Sequence, residues 1–296
     1  MASHVPELPV ELITLILEQV GDESRSTLFN AALCSHQFYD ITIPLLYRRI
    51  DIGDREESDA GKNYLKKLLL HFLRKPELAR HVHHFSIRPA FEDGLETERD
   101  RDAPPTHKLS KALDLTKDLE DEIQDAIVHA SHSRTERVKW LEEIDLEDAL
   151  LALLLPKFTN LLTLDLEILC EANSVKRMLE RVARNEKPFD KEPTFTHLHS
   201  ITWVHCDESI GGSPVGVVFM FPSVQSIYLY RNGSEDVGDD ANKEFSKIKR
   251  QSSSCTELEA RDCRFNNGDI EAILSIPKSL RTFIYEIGWG EHYPST

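Results

Sequence analysis

The chain has 296 residues, 40% of them hydrophobic, and a formal net charge of −16 at pH 7. That length and apolar content allow one or two domains with a sizeable core, and the acidic balance, with no basic stripe to offset it, argues against nucleic acid as a partner. No apolar run approaches the ~18–20 residues of a membrane span, and an N-terminus carrying Glu7, Glu11 and Glu18 lacks the basic region of a signal peptide.

Taken in chain order, the first element is a helix after Pro9, whose missing N–H is no loss in a first turn. Glu11 complements the helix dipole there, and Leu8 can staple onto the first turn. Leu12, Ile13, Ile16, Leu17 and Val20 recur at helical spacing, and Gly21 is expected to end the helix. A second helix has Leu28, Ala31, Ala32 and Leu33 on its apolar side. A third runs from Ser35 to Ile43, buries Phe38 and Ile41, and is expected to break at Pro44. Apolar residues lie on more than one side of the first helix. A surface helix needs only one such stripe.

This stretch resembles the F-box. The motif reads Leu8-Pro9, Glu11, the Leu12–Leu17 apolar helix, then Leu33-Cys34-Ser35-His36-Gln37-Phe38. The trailing ITIPLLYRRIDI is similar to the ending of many fungal F-box proteins. The resemblance covers about residues 5–52. His36-Gln37 stand where the family usually has a basic residue. The resemblance implies docking onto the Skp-type linker of a Skp–cullin–F-box ubiquitin ligase, with Leu8, Pro9, Leu12, Ile16, Leu17, Leu33 and Phe38 as linker-binding candidates. On this reading residues 1–52 form a three-helix module.

Residues 53–296 are read as an α/β domain. A helix over Tyr64–Val82 is expected to stop near Pro76, with Leu65, Leu68, Leu69, Phe72 and Leu73 on one face. A short apolar pattern then recurs as Val82/Phe85/Ile87, Leu161/Leu164/Leu166, Leu198/Ile201/Trp203, Val224/Ile227/Leu229, Leu258/Arg261/Cys263 and Leu280/Phe283/Tyr285. It resembles the strand segment of a leucine-rich repeat, LxxLxLxxN/C, with the last position filled by Cys206, Asn232 and Asn266. Arg261 breaks the fifth unit, and the intervals are irregular. Short helices over Asp145–Leu155, Ser174–Arg184 and Asp269–Ser275 separate the units. Asn173 or Ser174 is expected to cap the second, and Asp269 to cap the third or lie in its first turn. Strand alternating with helix predicts an irregular leucine-rich-repeat-like α/β solenoid with a parallel sheet. The charged, Pro-containing stretch over about 91–108 is expected to be a loop. The acidic stretch Gly233–Asp240 is expected to be exposed. The long interval holding a helix near Leu109–Ala130 leaves room for a missed repeat.

Catalytic and metal signatures are few. Two histidine clusters (His81, His83, His84; His197, His199) lack zinc spacing, the Gly211–Gly216 loop has no lysine of a phosphate cradle, and no GxSxG or HExxH occurs. The chain is therefore expected to be non-catalytic, with no cofactor and no metal. The cysteines Cys34, Cys170, Cys206, Cys255 and Cys263 are odd in number and form no CxxC pair. They predict small buried thiols in a reducing compartment, cytoplasmic and/or nuclear.

The variable residues between the apolar ones point away from the core. Asp165, Glu167, Thr202, Tyr228, Tyr230, Asp262 and Arg264 are the substrate-binding candidates on that face, and aromatics with polar tips favour an interface. The expected function is a substrate-recruiting adaptor: linker at the N-terminal helices, protein substrate on the repeat domain, no nucleic acid and no membrane. The alternative is a leucine-rich-repeat scaffold with no ligase role.

Overall fold

Pro9 is extended (φ −53°, ψ 144°) and sits one position before α1, Val10–Glu23, where its carbonyl accepts from Leu12 and Ile13. Gly21 does not end this helix. It lies where α1 meets α2 (Arg25–Ala32), and a Cβ there would stand 3.1 Å from Leu28 Cδ2, so its small size permits the close approach. The Ser24 hydroxyl accepts from the Thr27 amide and caps α2. Ser35 caps α3, His36–Arg48, in the same way through Phe38. Pro44 lies within α3 and does not break it. The helix loses one backbone donor there, and the Thr42 hydroxyl donates back to the Phe38 carbonyl at 2.6 Å one turn earlier. The structure is a computed structural model and describes residues 8–53, 60–87, 121–144, 147–168, 173–205, 215–233, 245 and 247–288.

α3 runs directly into β1, Arg49–Ile52, the first strand of a seven-stranded sheet. The other strands are β2 (His84–Ile87), β3 (Thr163–Ile168), β4 (Ser200–His205), β5 (Ser226–Tyr230), β6 (Glu257–Cys263) and β7 (Thr282–Ile287). They pair in sequence order and every pair is parallel. Parallel neighbours require crossovers. Helices α4 (Ala60–Arg74) and α5 (Pro76–Ala79) connect β1 to β2. The helices α6 (Asp121–Ala130), α7 (Arg134–Glu143) and α8 (Glu147–Leu154) lie between β2 and β3. α9 (Asn173–Ala183) and α10 (Asn267–Ser275) follow β3 and β6, and a 3-10 turn over Val215–Met220 follows β4. β2 pairs directly with β3, so no further strand lies between them in the sheet. The expected loop at about 91–108 and most of Gly233–Asp240 lie outside the described residues.

The core face carries two side-chain rows across the sheet. One runs Ile50, Phe85, Leu164, Ile201, Ile227, Leu258 and Phe283, and the other Ile52, Ile87, Leu166, Trp203, Leu229, Ala260 and Tyr285. Five of the six predicted triplets fall in this register. The fifth does not: Leu258 occupies the middle position, so the unit reads Cys255/Leu258/Ala260, all buried, and Arg261 faces the other side. β1 adds a unit, Tyr47/Ile50/Ile52, on the N-terminal side of the boundary drawn at residue 52.

Behind β5 and β6 the same bond pattern occurs twice. Asn232 Nδ2 donates to the Trp203 carbonyl at 3.1 Å and the Tyr230 carbonyl at 2.9 Å. Cys263 Sγ reaches the Leu229 carbonyl at 3.7 Å and the Arg261 carbonyl at 3.2 Å. Each side chain thus satisfies a carbonyl of the preceding strand and one of its own, in a turn where the backbone ladder ends. Cys206 lies outside the described residues. Asn266 is not in this ladder: it caps α10 by accepting from the Asp269 amide at 2.9 Å. Asp148 supplies the bonds expected of Asn173 or Ser174, its carboxylate accepting from the Ser174 amide at 2.6 Å and the Val175 amide at 3.0 Å at the start of α9.

Candidate docking and binding surfaces

Two apolar faces of α1 separate cleanly. Leu17 is buried at 5% exposure with Leu28 and Ala32, and these three stand apart from the core cluster that begins at Ile50. The other face is open: Leu8 53%, Leu12 47%, Leu15 60% and Ile16 53% exposed. Residues 12, 15 and 16 share one side of α1 by their three- and four-residue spacing, and Leu8 lies just ahead of its first turn. Leu33 at the end of α2 is 70% exposed, and Val10, Phe29 and Tyr39 are exposed as well. Half of the large hydrophobics exposed among the described residues therefore lie within residues 8–39.

Of the seven linker-binding candidates, Leu8, Pro9, Leu12, Ile16 and Leu33 are exposed, and Phe38 is half-buried. Leu17 is a correction: it points into the interior of the helix trio, because its position falls on the face that α1 turns towards Leu28. Leu15 and Phe29 belong on the exposed set and were not singled out. Leu15 was legible, one residue from Ile16 and three from Leu12.

Polar contacts tie the three helices to one another and join α3 to α4. Arg48 pairs with Glu18 at 3.1 Å, and Arg25 donates to the Leu46 carbonyl at 2.9 Å. Tyr47 packs against the sheet core, stacks on His71 and shares a 2.8 Å hydrogen bond with its Nε2. The histidines nearby lie in a cationic setting. Partial burial lowers the pKa of His81, His83 and His84 first, and Arg80, Arg48 and Arg49 lower them further.

On the outer sheet face the register gives a lateral row of Asp51, Ser86, Asp165, Thr202, Tyr228, Glu259 and Ile284. A second row holds Glu167, Val204, Tyr230 and Arg261. Asp165, Glu167, Thr202, Tyr228 and Tyr230 thus share one face, as expected, and each is half-buried. Asp262 and Arg264 do not belong to these rows. The one-unit slip in β6 displaced them: Glu259 and Arg261 stand beside Tyr228 and Tyr230, whereas Asp262 has a left-handed backbone (φ 51°) at the strand's end. The missed signal was Cys255-x-x-Leu258-x-Ala260-x-x-Cys263, which fits the LxxLxLxxN/C spacing in full.

The face is laced with charge pairs. Arg261 bonds Glu259 and lies 3.5 Å from Glu286, and Arg231 bonds Asp262 at 3.1 Å while lying over the Tyr230 ring. Burial, then the nearby Glu259 carboxylate, raises the Tyr228 pKa, so the phenol stays a neutral donor and acceptor. Hydrogen-bonding groups and both signs of charge thus stand side by side on this face.

Other chemistry is sparse. Among the described residues no group of three or more His, Cys, Asp or Glu could hold a metal ion, and no helix is long and apolar enough to cross a membrane. Cys34 is an exposed free thiol, while burial pushes the Cys255 and Cys263 thiols up to about 11 and about 12, where they are inert. Cys170 and Cys206 lie outside the described residues. No protein family, curated protein or solved structure matches the chain.

Proposed function

We propose that the chain is a substrate-recruiting adaptor of a Skp–cullin–F-box type ubiquitin ligase. The observation that carries the reading is the open apolar face of α1, with Leu8, Leu12, Leu15 and Ile16 about half exposed while Leu17 fills the interior. An isolated three-helix unit gains nothing by presenting that face to water: burying one such side chain against a partner is worth ~1.5–3 kcal/mol. The Leu8-Pro9 start and the Leu33–Phe38 segment give the face the residue order of an F-box. The paired bonds of Asn232 and Cys263 support a leucine-rich-repeat character for the sheet domain. Its outer face is the substrate surface, centred on Tyr228, Tyr230, Glu259 and Arg261. The adaptor makes and breaks no bonds itself. It raises the local concentration of substrate beside the conjugating enzyme.

Co-expression of the full chain with a Skp-type linker tests the reading. The wild type is expected to co-purify with the linker in a one-to-one complex. A chain that elutes alone under native conditions sinks the ligase role and leaves a binding scaffold.

A further inference from the structure

A small pocket opens where α6, α7, α8 and α9 converge, and it shares no lining residue with either surface described above. Its volume is about 40 Å³, and its lining includes Trp140, Lys157, Arg177, Arg181, Met178 and Phe189. Room for a water requires ~10–15 Å³, so the space suits a few waters or one compact polar group.

Two buried donors around it lack partners, whereas the Glu136 carboxylate in its lining already accepts from Arg181 and the His132 amide. Trp140 is 3% exposed, and its indole Nε1 is buried with no hydrogen-bond partner. Arg177 Nη1 is also buried without a partner, although the same guanidinium uses Nη2 to bond Glu143 and the Ser174 hydroxyl. The Arg177 guanidinium lies 6.0 Å from the centre of the Trp140 ring, so the two unmatched donors belong to adjacent groups. Lys157 also lines the pocket: burial lowers its pKa, and the Glu192 carboxylate offsets only part of that. Arg181 is already committed to Glu136 at 2.9 Å and to the Ala130 carbonyl at 2.8 Å. Indole and guanidinium N–H groups can only donate. An unmade bond on a buried donor is costly, and more so when the donor is charged. Each wants an oxygen acceptor, and a negative one also relieves the desolvated lysine. Met178, Phe189, Ala152 and Leu153 give it apolar walls, and His129 and Glu136 line it as well.

We infer that this pocket is a carboxylate-binding site, taking a single –COO⁻ group on a short apolar stem, with Trp140, Arg177 and Lys157 as its donors. The planar carboxylate offers about four lone-pair directions, enough for all three. The site is independent of the ligase reading and stands or falls separately from it.

The test uses the full chain labelled with ¹⁵N. The chain has three tryptophans, and Trp140→Phe identifies which indole N–H resonance belongs to Trp140. Butyrate probes a free acid, N-acetylalanine probes a peptide C-terminus, and butyramide is the uncharged control. The expected result is a saturable downfield shift of the Trp140 indole resonance with at least one of the two acids and none with butyramide. Lys157→Met, which keeps the apolar stem, is expected to weaken binding at least tenfold with an unchanged far-ultraviolet spectrum. Arg177→Lys, which keeps a cation for Glu143, provides a second variant and is expected to weaken binding likewise. Response to butyrate assigns a small acid as ligand, and response to N-acetylalanine alone assigns a chain terminus. An equal shift with butyramide, no shift with either acid up to tens of millimolar, or undiminished binding in a folded Lys157→Met protein overturns the site.

Discussion

Position on a helix decides the role of each leucine in α1. Leu17 and Leu12 have the same side chain, but one is 5% exposed and the other 47%. Leu17→Ala is therefore expected to destabilise the helix trio by about 2–5 kcal/mol, the range for emptying a buried leucine site. Leu12→Ser should change stability by only about 0.5 kcal/mol. Urea unfolding followed by circular dichroism separates the two, and equal losses would mean that Leu12 is core. The histidines carry a second residue-scale prediction. Burial lowers the folded pKa of His71, His81, His83 and His84 below the ordinary 6.5. A base with a lowered folded pKa stabilises the fold while neutral. That stability is complete above about 6.5 and is lost as pH falls through the unfolded value toward the folded one. The thermal midpoint should thus drop between pH 7 and pH 5, and the His81→Gln/His83→Gln/His84→Gln variant should show a flatter profile. An unchanged slope in that variant would place the proton uptake elsewhere.

Elements were legible where their signal was local and strong. The amphipathic spacing of Leu65, Leu69 and Phe72 foretold α4, and the strand units around Phe85, Leu164, Ile201 and Ile227 were read in their true register. The fifth unit slipped because its inward residues are Cys255 and Ala260, small side chains that barely raise hydrophobicity, while Cys263 offered a plausible end. β1 was absorbed into the tail of the N-terminal helical module because it is only four residues long. Pro44 and Gly21 were read as stops from intrinsic preference, and packing of α3 and α1 overrode that preference. The cap on α9 was beyond local reading, since Asp148 belongs to the preceding helix. Burial raises the Asp148 pKa, and the two backbone donors oppose that rise only in part. A carboxyl with a raised folded pKa favours the fold when protonated, so the ionised group relies on its capping bonds near neutrality. Asp148→Ala should cost about 1–2 kcal/mol, and Asp148→Asn, which keeps an acceptor, distinctly less. Equal effects in thermal unfolding would show that charge rather than capping matters. Asn232→Ala leaves two buried carbonyls without their donor and should cost about 1–3 kcal/mol.

At the scale of the whole molecule, the chain joins two surfaces of opposite character. The helix trio has its own small interior and an open apolar face. The sheet domain has a continuous core and a polar outer face built from Tyr228, Tyr230, Glu259 and Arg261. Both candidate surfaces were legible in outline, the first through residue order and the second through alternation. What the sequence did not disclose was which side of α1 faces water and where the rows of β6 fall, because both depend on contacts between distant segments. The adaptor account makes these surfaces separable. Titration calorimetry of a purified Skp-type linker into the full chain measures this directly, comparing wild type, Leu12→Asp/Ile16→Asp and Tyr228→Ala/Tyr230→Ala. The account predicts one-to-one binding by the wild type, a loss of at least a hundredfold in the helix variant with its fold intact, and unchanged affinity in the strand variant. No binding by the wild type, or equal binding by the helix variant, would contradict it.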